Sequence, residues 1–176
     1  MEKAENSPLW MRELASGGHH GHTPETEEYG IKSFIYRRER PFHPERFWQL
    51  ANHEWRGVIR SKGLFWLASR HDMAGNWGQA GGSTRVDPAG RWIASLPAEE
   101  IAEYPEYMYE LALHREKPYR DRRQELVIIT IADNQAEIET LLDSALLTDA
   151  EMAAGPEVWK TYVDNFPIWL SENSLS

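Results

Sequence analysis

The sequence predicts an α+β fold, a mostly antiparallel sheet of about four or five strands packed with about three helices. Three observations lead there. The continuously apolar run LFWLA at 64–68 reads as a strand covered on both faces, and LVIITIA at 126–132 gives a second buried-strand pattern. Between them, a glycine-dotted stretch and the tetrapeptide Asp87-Pro88-Ala89-Gly90 read as a hairpin, and hairpins join antiparallel neighbours. Segments with helical periodicity precede, separate and follow these strands, so helices cover the sheet.

The elements follow in order. Residues 1–15 carry a weak helical pattern (Leu9, Trp10, Leu14) that Gly17, Gly18, Gly21 and Pro24 break. Ile31–Arg37 is β-rich and forms the first strand. Pro44 suits a first helical turn, where its missing N–H has no partner, and Phe47, Leu50, Ala51 and Trp55 recur at helical spacing. A helix over 44–55, ended by Gly57, is the result. Val58–Ser69 is the best candidate for a central strand because LFWLA lies within it. GNWGQAGGSTRV reads as a strand weakened or bulged by glycine. A type I turn at 87–90 then returns Arg91–Leu96 antiparallel. Pro97 to about Arg115 predicts a helix with Ile101, Tyr104, Met108, Leu111 and Ala112 on one side and a break or kink at Pro105. After the second apolar strand, Asn134 can cap a helix with Glu137 three residues on. Ile138, Leu141, Leu142, Ala145 and Leu146 give that helix a stripe that belongs in the core. GPEVWKTYVDNFPIW has apolar anchors without a period and is expected to wrap the outside of the domain.

Composition narrows the function classes. A chain of 176 residues with eight tryptophans supports one aromatic-rich core. A net charge of -9 disfavours a nucleic-acid surface, which rests on clustered Lys and Arg. No apolar run reaches membrane-spanning length and no signal-peptide pattern opens the chain, so the expectation is a soluble cytoplasmic protein with neither a nucleic-acid nor a membrane partner. The absence of cysteine fits a reducing compartment and excludes disulfides, thiolate zinc sites and cysteine nucleophiles. The chain has no Gly-Lys dipeptide for a phosphate loop, and no GxSxG, HExxH or EF-hand pattern. The expectation is a protein that is not an enzyme.

Any metal must therefore use His, Asp or Glu. His19, His20 and His22 offer imidazole nitrogens for zinc, nickel or cobalt, and Glu25, Glu27 and Glu28 are near enough on a flexible chain to add oxygens. A glycine-flanked tract must lose chain entropy to enclose an ion, so the pattern predicts weak, exchangeable binding or simply a solvated linker. His43 precedes Pro44 and reads as a helix cap or surface group, while His53, His71 and His114 read as isolated structural residues. Arg37, Arg38 and Arg40 form one basic run, and Arg115, Lys117, Arg120, Arg122 and Arg123 form another. The interspersed Glu39, Glu116 and Asp121 make each a salt-bridged solvated face or a docking surface. Arg60 and Lys62 precede the apolar part of the central strand, where they are placed for an interface contact.

The order of motifs resembles one family. PETEEYGIKSFIYRRERPFHPERF, IRSKGLFWLASR, the segment around GRWIAS, DRRQELVIIT and LLTDAEMAAGPEVWKTYVDNFPIW together look like the C-terminal domain of CobW-type GTPases over roughly Pro24 to Trp169. The resemblance implies residues 1–23 as tail and His-containing linker, 24–170 as the domain, and 171–176 as a C-terminal tail. It implies a non-catalytic module of a GTP-dependent metallochaperone, with zinc or cobalt as the metal. The implied partners are a GTPase domain and a client metalloprotein, and self-association stays open. The Walker, cysteine and guanine-specificity motifs of the family's other half are missing, so GTPase activity does not carry over and no nucleotide is expected on this chain alone. MEKAENSPLW resembles the end of that half, which fits an excised domain or truncated gene product. The alternative is a stand-alone metal-binding or storage protein.

Overall fold

A computed structural model describes residues 30–169. Five strands form one antiparallel sheet: β1 (Lys32–Arg38), β2 (Val58–Trp66), β3 (Met73–Ala80), β4 (Ser83–Arg91) and β5 (Gln124–Thr130). Their spatial order is β1-β5-β2-β3-β4, which puts β2 in the centre as its apolar run predicted. Among the described residues the helices are α1 (Pro44–Ala51), α2 (Ala98–Glu103), α3 (Pro105–Leu113), α4 (Gln135–Asp143), α5 (Asp149–Ala154) and α6 (Pro156–Trp159). The architecture is α+β. The helix number is about twice the expectation, because Pro105 divides the 97–115 segment and the C-terminal segment forms two short helices rather than an irregular wrap.

Side-chain alternation along β2 builds two cores. Phe65 and Leu67 point to one face and join Tyr36, Phe47, Trp77, Leu126 and Ile128; Ile138 and Leu142 of α4 and Phe47 of α1 close this side. Leu64, Trp66 and Ala68 point the other way and meet Ala74, Trp92, Leu147 and Trp159, with Met152 of α5 packed against them. The anchors Trp159 and Phe166 thus enter one core each. Asp164 holds that segment in place by accepting from Ser69 Oγ at 2.6 Å and Arg70 Nε at 2.8 Å.

The hairpin turn lies elsewhere than expected. β3 and β4 are joined by Gly81-Gly82, where Gly81 has φ +58°, a two-residue connection that glycine adopts without a Cβ penalty. Asp87 and Pro88 are inside β4, opposite a register shift between Ala74 and Gly75. β4 is an edge strand, so Pro88 can stay in it without removing an interior ladder bond. Residues 93–95, expected to extend the return strand, form a single 3₁₀ turn instead.

Two further expectations change. No residue of α2 or α3 is buried, and Met108, Tyr109 and Leu113 are exposed, so this pair adds little to either core. Asn134 occupies the N-cap of α4, but its side chain does not cap. It accepts from Thr130 Oγ1 at 2.8 Å and donates to the Arg56 carbonyl at 2.5 Å. A reciprocal capping box does form at Thr148 and Glu151, where the Thr-x-x-Glu spacing was present in the sequence.

Candidate functional site

The three arginines of the first basic run bond within the domain. Arg37 Nε donates to Glu125 at 3.0 Å. Arg38 grips Asp143 with two bonds of 2.8 and 3.0 Å and stacks over the Tyr36 ring at 4.6 Å. Arg40 donates to the Leu147 carbonyl at 2.9 Å and to Asp149 at 2.8 Å. Together they tie β1 and its following loop to β5, α4 and α5. The second run is also partly internal: Arg122 is buried and its Nε donates to the His71 carbonyl at 2.8 Å. Asp121 is not on a solvated face. It is 1% exposed and accepts the N–H groups of Ile93 and Ala94, at 2.8 and 3.0 Å, that open the 3₁₀ turn.

Arg60 and Lys62 differ. Both are exposed, and among the described residues neither has a carboxylate partner within salt-bridge distance. They alternate with Ser61, whose hydroxyl turns inward to accept from Trp77 Nε1 at 2.8 Å, so both point to the face that carries Leu64 and Trp66. The second core covers only the Leu64–Ala68 end of that face. At the other end, Arg60 stands beside Ile129 and Lys62 beside Val127, and Ile35 of β1 pairs with Val127 on its far side. Ile35, Val127 and Ile129 are half-buried and belong to neither core. Arg85 of β4, opposite Gly78, lies in the same row as Lys62 and is 82% exposed despite its contact with Asp87. The result is a shallow aliphatic strip bordered by cations on a half-face of the sheet that neither core covers among the described residues. The run 126–132 reads as a buried strand, and that pattern does not distinguish Val127 and Ile129, which lie outside both cores, from Leu126 and Ile128, which lie inside one.

The histidines separate in the same way. His43 is at the N-cap of α1 with no side-chain cap bond and stacks on Tyr162 at 4.8 Å. His71 is wedged among Trp66, Tyr119 and Trp159 with ring centroids 5.6–6.0 Å away. Burial, reinforced by the Arg122 charge, pushes its pKa down from 6.5 to about 4. His43 and His114 are lowered in the same direction by burial. The unfolded chain therefore binds protons that the fold does not, and stability falls as pH drops from about 6.5 towards about 4. Glu151, held down to about 2 chiefly by Arg46, extends the loss below its ordinary 4.5. Urea midpoints measured from pH 7 to pH 4 are expected to decline, and His71→Phe to flatten the decline. An unchanged slope in that variant would refute the assignment.

His19, His20 and His22 lie outside the described residues. Among the described residues, no group of three or more His, Asp or Glu side chains is positioned to hold a metal ion, and no helix is long and apolar enough to cross a membrane.

Comparison with known proteins adds a family. The model of the cobalamin synthesis protein CobW C-terminal domain matches residues 31–146. A zinc-regulated GTPase metalloprotein activator 1 of Dictyostelium discoideum is 41% identical over 97% of this chain, and a zinc chaperone of Mycobacterium tuberculosis is 37% identical over 81% of it. The chain spans 35% of the length of each of these relatives. Among solved structures, the Zn(II)-bound YjiA GTPase from E. coli is similar at 14% identity and a TM-score of 0.44, covering 72% of this chain and 33% of that one.

Proposed function

Because the chain belongs to the CobW C-terminal domain family, we propose that it is a non-catalytic module that docks on a GTPase domain, a client metalloprotein or both. The observation that carries this reading is the half-face, outside both cores among the described residues, that sets Arg60 and Lys62 beside Ile35, Val127 and Ile129. Apolar contact supplies affinity there, and the cations set orientation and association rate towards an acidic partner surface. A base-stacking role is disfavoured because Arg60, Lys62 and Arg85 have no aromatic neighbour in their sheet rows, and single-stranded nucleic acid binding draws on such rings.

The same reading gives the His tract a modest part. His19, His20 and His22 would capture zinc weakly and exchangeably, and the two relatives, a zinc-regulated activator and a zinc chaperone, favour zinc over cobalt. Titration with zinc should show graded uptake that disappears when the three become Ala. A tight site of defined stoichiometry would instead favour a stand-alone metal-binding protein.

Docking is tested by adding the chain to a cognate GTPase domain. Binding is expected, and Arg60→Glu with Lys62→Glu should weaken it by about tenfold or more, mainly through a slower, less salt-dependent association. Equal affinity for the charge-reversed chain would remove this face from the interface.

A further inference from the structure

We propose that α3 is a self-association surface: its outward apolar arc packs antiparallel against the same arc of a second copy of the chain, about a two-fold axis at Tyr109. The contact uses neither Arg60 nor Lys62, so it goes beyond the docking reading and does not depend on it.

The helix is inverted relative to an ordinary surface helix, which sends its apolar stripe to the core and its charges to water. Pro105, Met108, Tyr109, Ala112 and Leu113 have the i, i+3, i+4, i+7, i+8 spacing of one helix face, and all five are exposed, Met108, Tyr109 and Leu113 by 57–58%. Both carboxylates of the helix turn away from that arc: Glu106 is half-buried, and Glu110 lies beside His114 with its side chain only 17% exposed. Apolar residues scattered singly over a surface need no explanation, but a contiguous patch of them marks an interaction site.

Charge selects the occupant. The arc itself carries none, so a second copy meets no like charge at the centre of the contact. Its two ends differ in sign. Glu99, Glu100 and Glu103 precede it and Arg115 and Arg120 follow it, all exposed, with Glu116 the one exception at the basic end, 3.3 Å from Arg115. A partner of a single sign would be repelled at one end, whereas a reversed copy of the same chain matches both. Glu103 and Arg115 are equidistant from Tyr109 along the chain, so the two-fold axis brings the Glu103 end of each copy to the Arg115 end of the other, and symmetry makes the match twice. Parallel pairing would set like ends together.

A helix of nine residues is about 13 Å long, so the contact is small, about 1,000 Å² or less in total, at the low end for specific interfaces. The dimer is therefore weak and forms at concentrations on the order of 100 μM. Its centre is apolar and survives salt, while the exposed charges at its ends set direction more than affinity.

Sedimentation equilibrium of the full-length chain between about 5 and about 500 μM should show a mass that rises from 20.4 kDa towards twice that value. Met108→Glu with Leu113→Glu should weaken association by about tenfold or more. Both positions are exposed, and an unchanged denaturant midpoint separates that loss from a folding defect. Glu103→Arg and Arg115→Glu should each weaken association by about threefold, and an equimolar mixture of the two should associate more tightly than either alone, because the mixed pair again has opposite charges at both ends. A mass that stays at 20.4 kDa throughout, an association indifferent to Met108→Glu with Leu113→Glu, or a mixture no tighter than its components would overturn the proposal. Association lost in Arg60→Glu with Lys62→Glu instead would move the contact to the sheet and overturn it equally. The GTPase-domain binding assay reports docking separately, so either reading can fail while the other stands.

Discussion

Gly63→Ala is expected to unfold most of the protein or lower its stability by about 3–5 kcal/mol, combining backbone strain with a steric overlap that cannot relax cheaply. Gly63 sits in the central strand with φ +150°, and a Cβ built there would lie 2.0 Å from the Glu125 carbonyl oxygen of β5. The obstacle is backbone in the neighbouring strand, so relief requires β2 and β5 to separate where the sheet is most buried. Gly81→Ala is the control. It also has a positive φ, +58°, but nothing lies within 4 Å of the added carbon, so only the local penalty of about 1 kcal/mol is expected. Denaturant midpoints of the two variants measured side by side decide the matter. Comparable, small losses in both would mean that β2 and β5 do not approach as closely as described.

Much of this fold was legible because its central elements are dictated locally. LFWLA could only be satisfied by apolar cover on both faces, and alternate residues of that run do enter opposite cores. The apolar stripe at 138–146 was equally direct: Ile138 and Leu142 of α4 are buried, and so is Ala145 just past its end. What the local pattern could not show is which partner a charged or turn-forming residue meets. Arg38 and Asp143 are 105 positions apart, and only the packing of α4 beside β1 joins them. Asp87-Pro88-Ala89-Gly90 has the chemistry of a turn, yet it is carried as an irregularity in an edge strand while Gly81-Gly82 turns the chain. The candidate site was half visible. Alternation around Ser61 marks Arg60 and Lys62 as a pair on one face, but the aliphatic strip beside them depends on strand order, which no local period encodes.

Gln124→Leu should cost about 2–4 kcal/mol although its volume and burial are nearly conserved, because it leaves backbone groups without partners in a dry site. The β2–β5 ladder ends at Leu64 and Glu125, and the fully buried Gln124 side chain takes over where it stops. Its carbonyl oxygen accepts the Trp66 N–H at 3.0 Å, and its amide donates to the carbonyls of Trp66 and Arg40 at 2.9 and 3.0 Å. The Trp66 carbonyl also receives the Phe42 N–H at 2.9 Å, so it survives the substitution, whereas the Trp66 N–H and the Arg40 carbonyl lose their bonds to Gln124. Hydrogen exchange separates this cause from a packing defect. The Trp66 amide should lose protection out of proportion to the amides of Phe65 and Leu67, while a simple packing loss would lower all three together. Gln124→Glu sharpens the test: it keeps an acceptor for Trp66, retains one donated bond while protonated and none once ionised, and then buries a carboxylate beside two carbonyl oxygens. Its stability should therefore fall further as pH rises through the titration of that group, since the ionised form has no donor other than the Trp66 N–H to face.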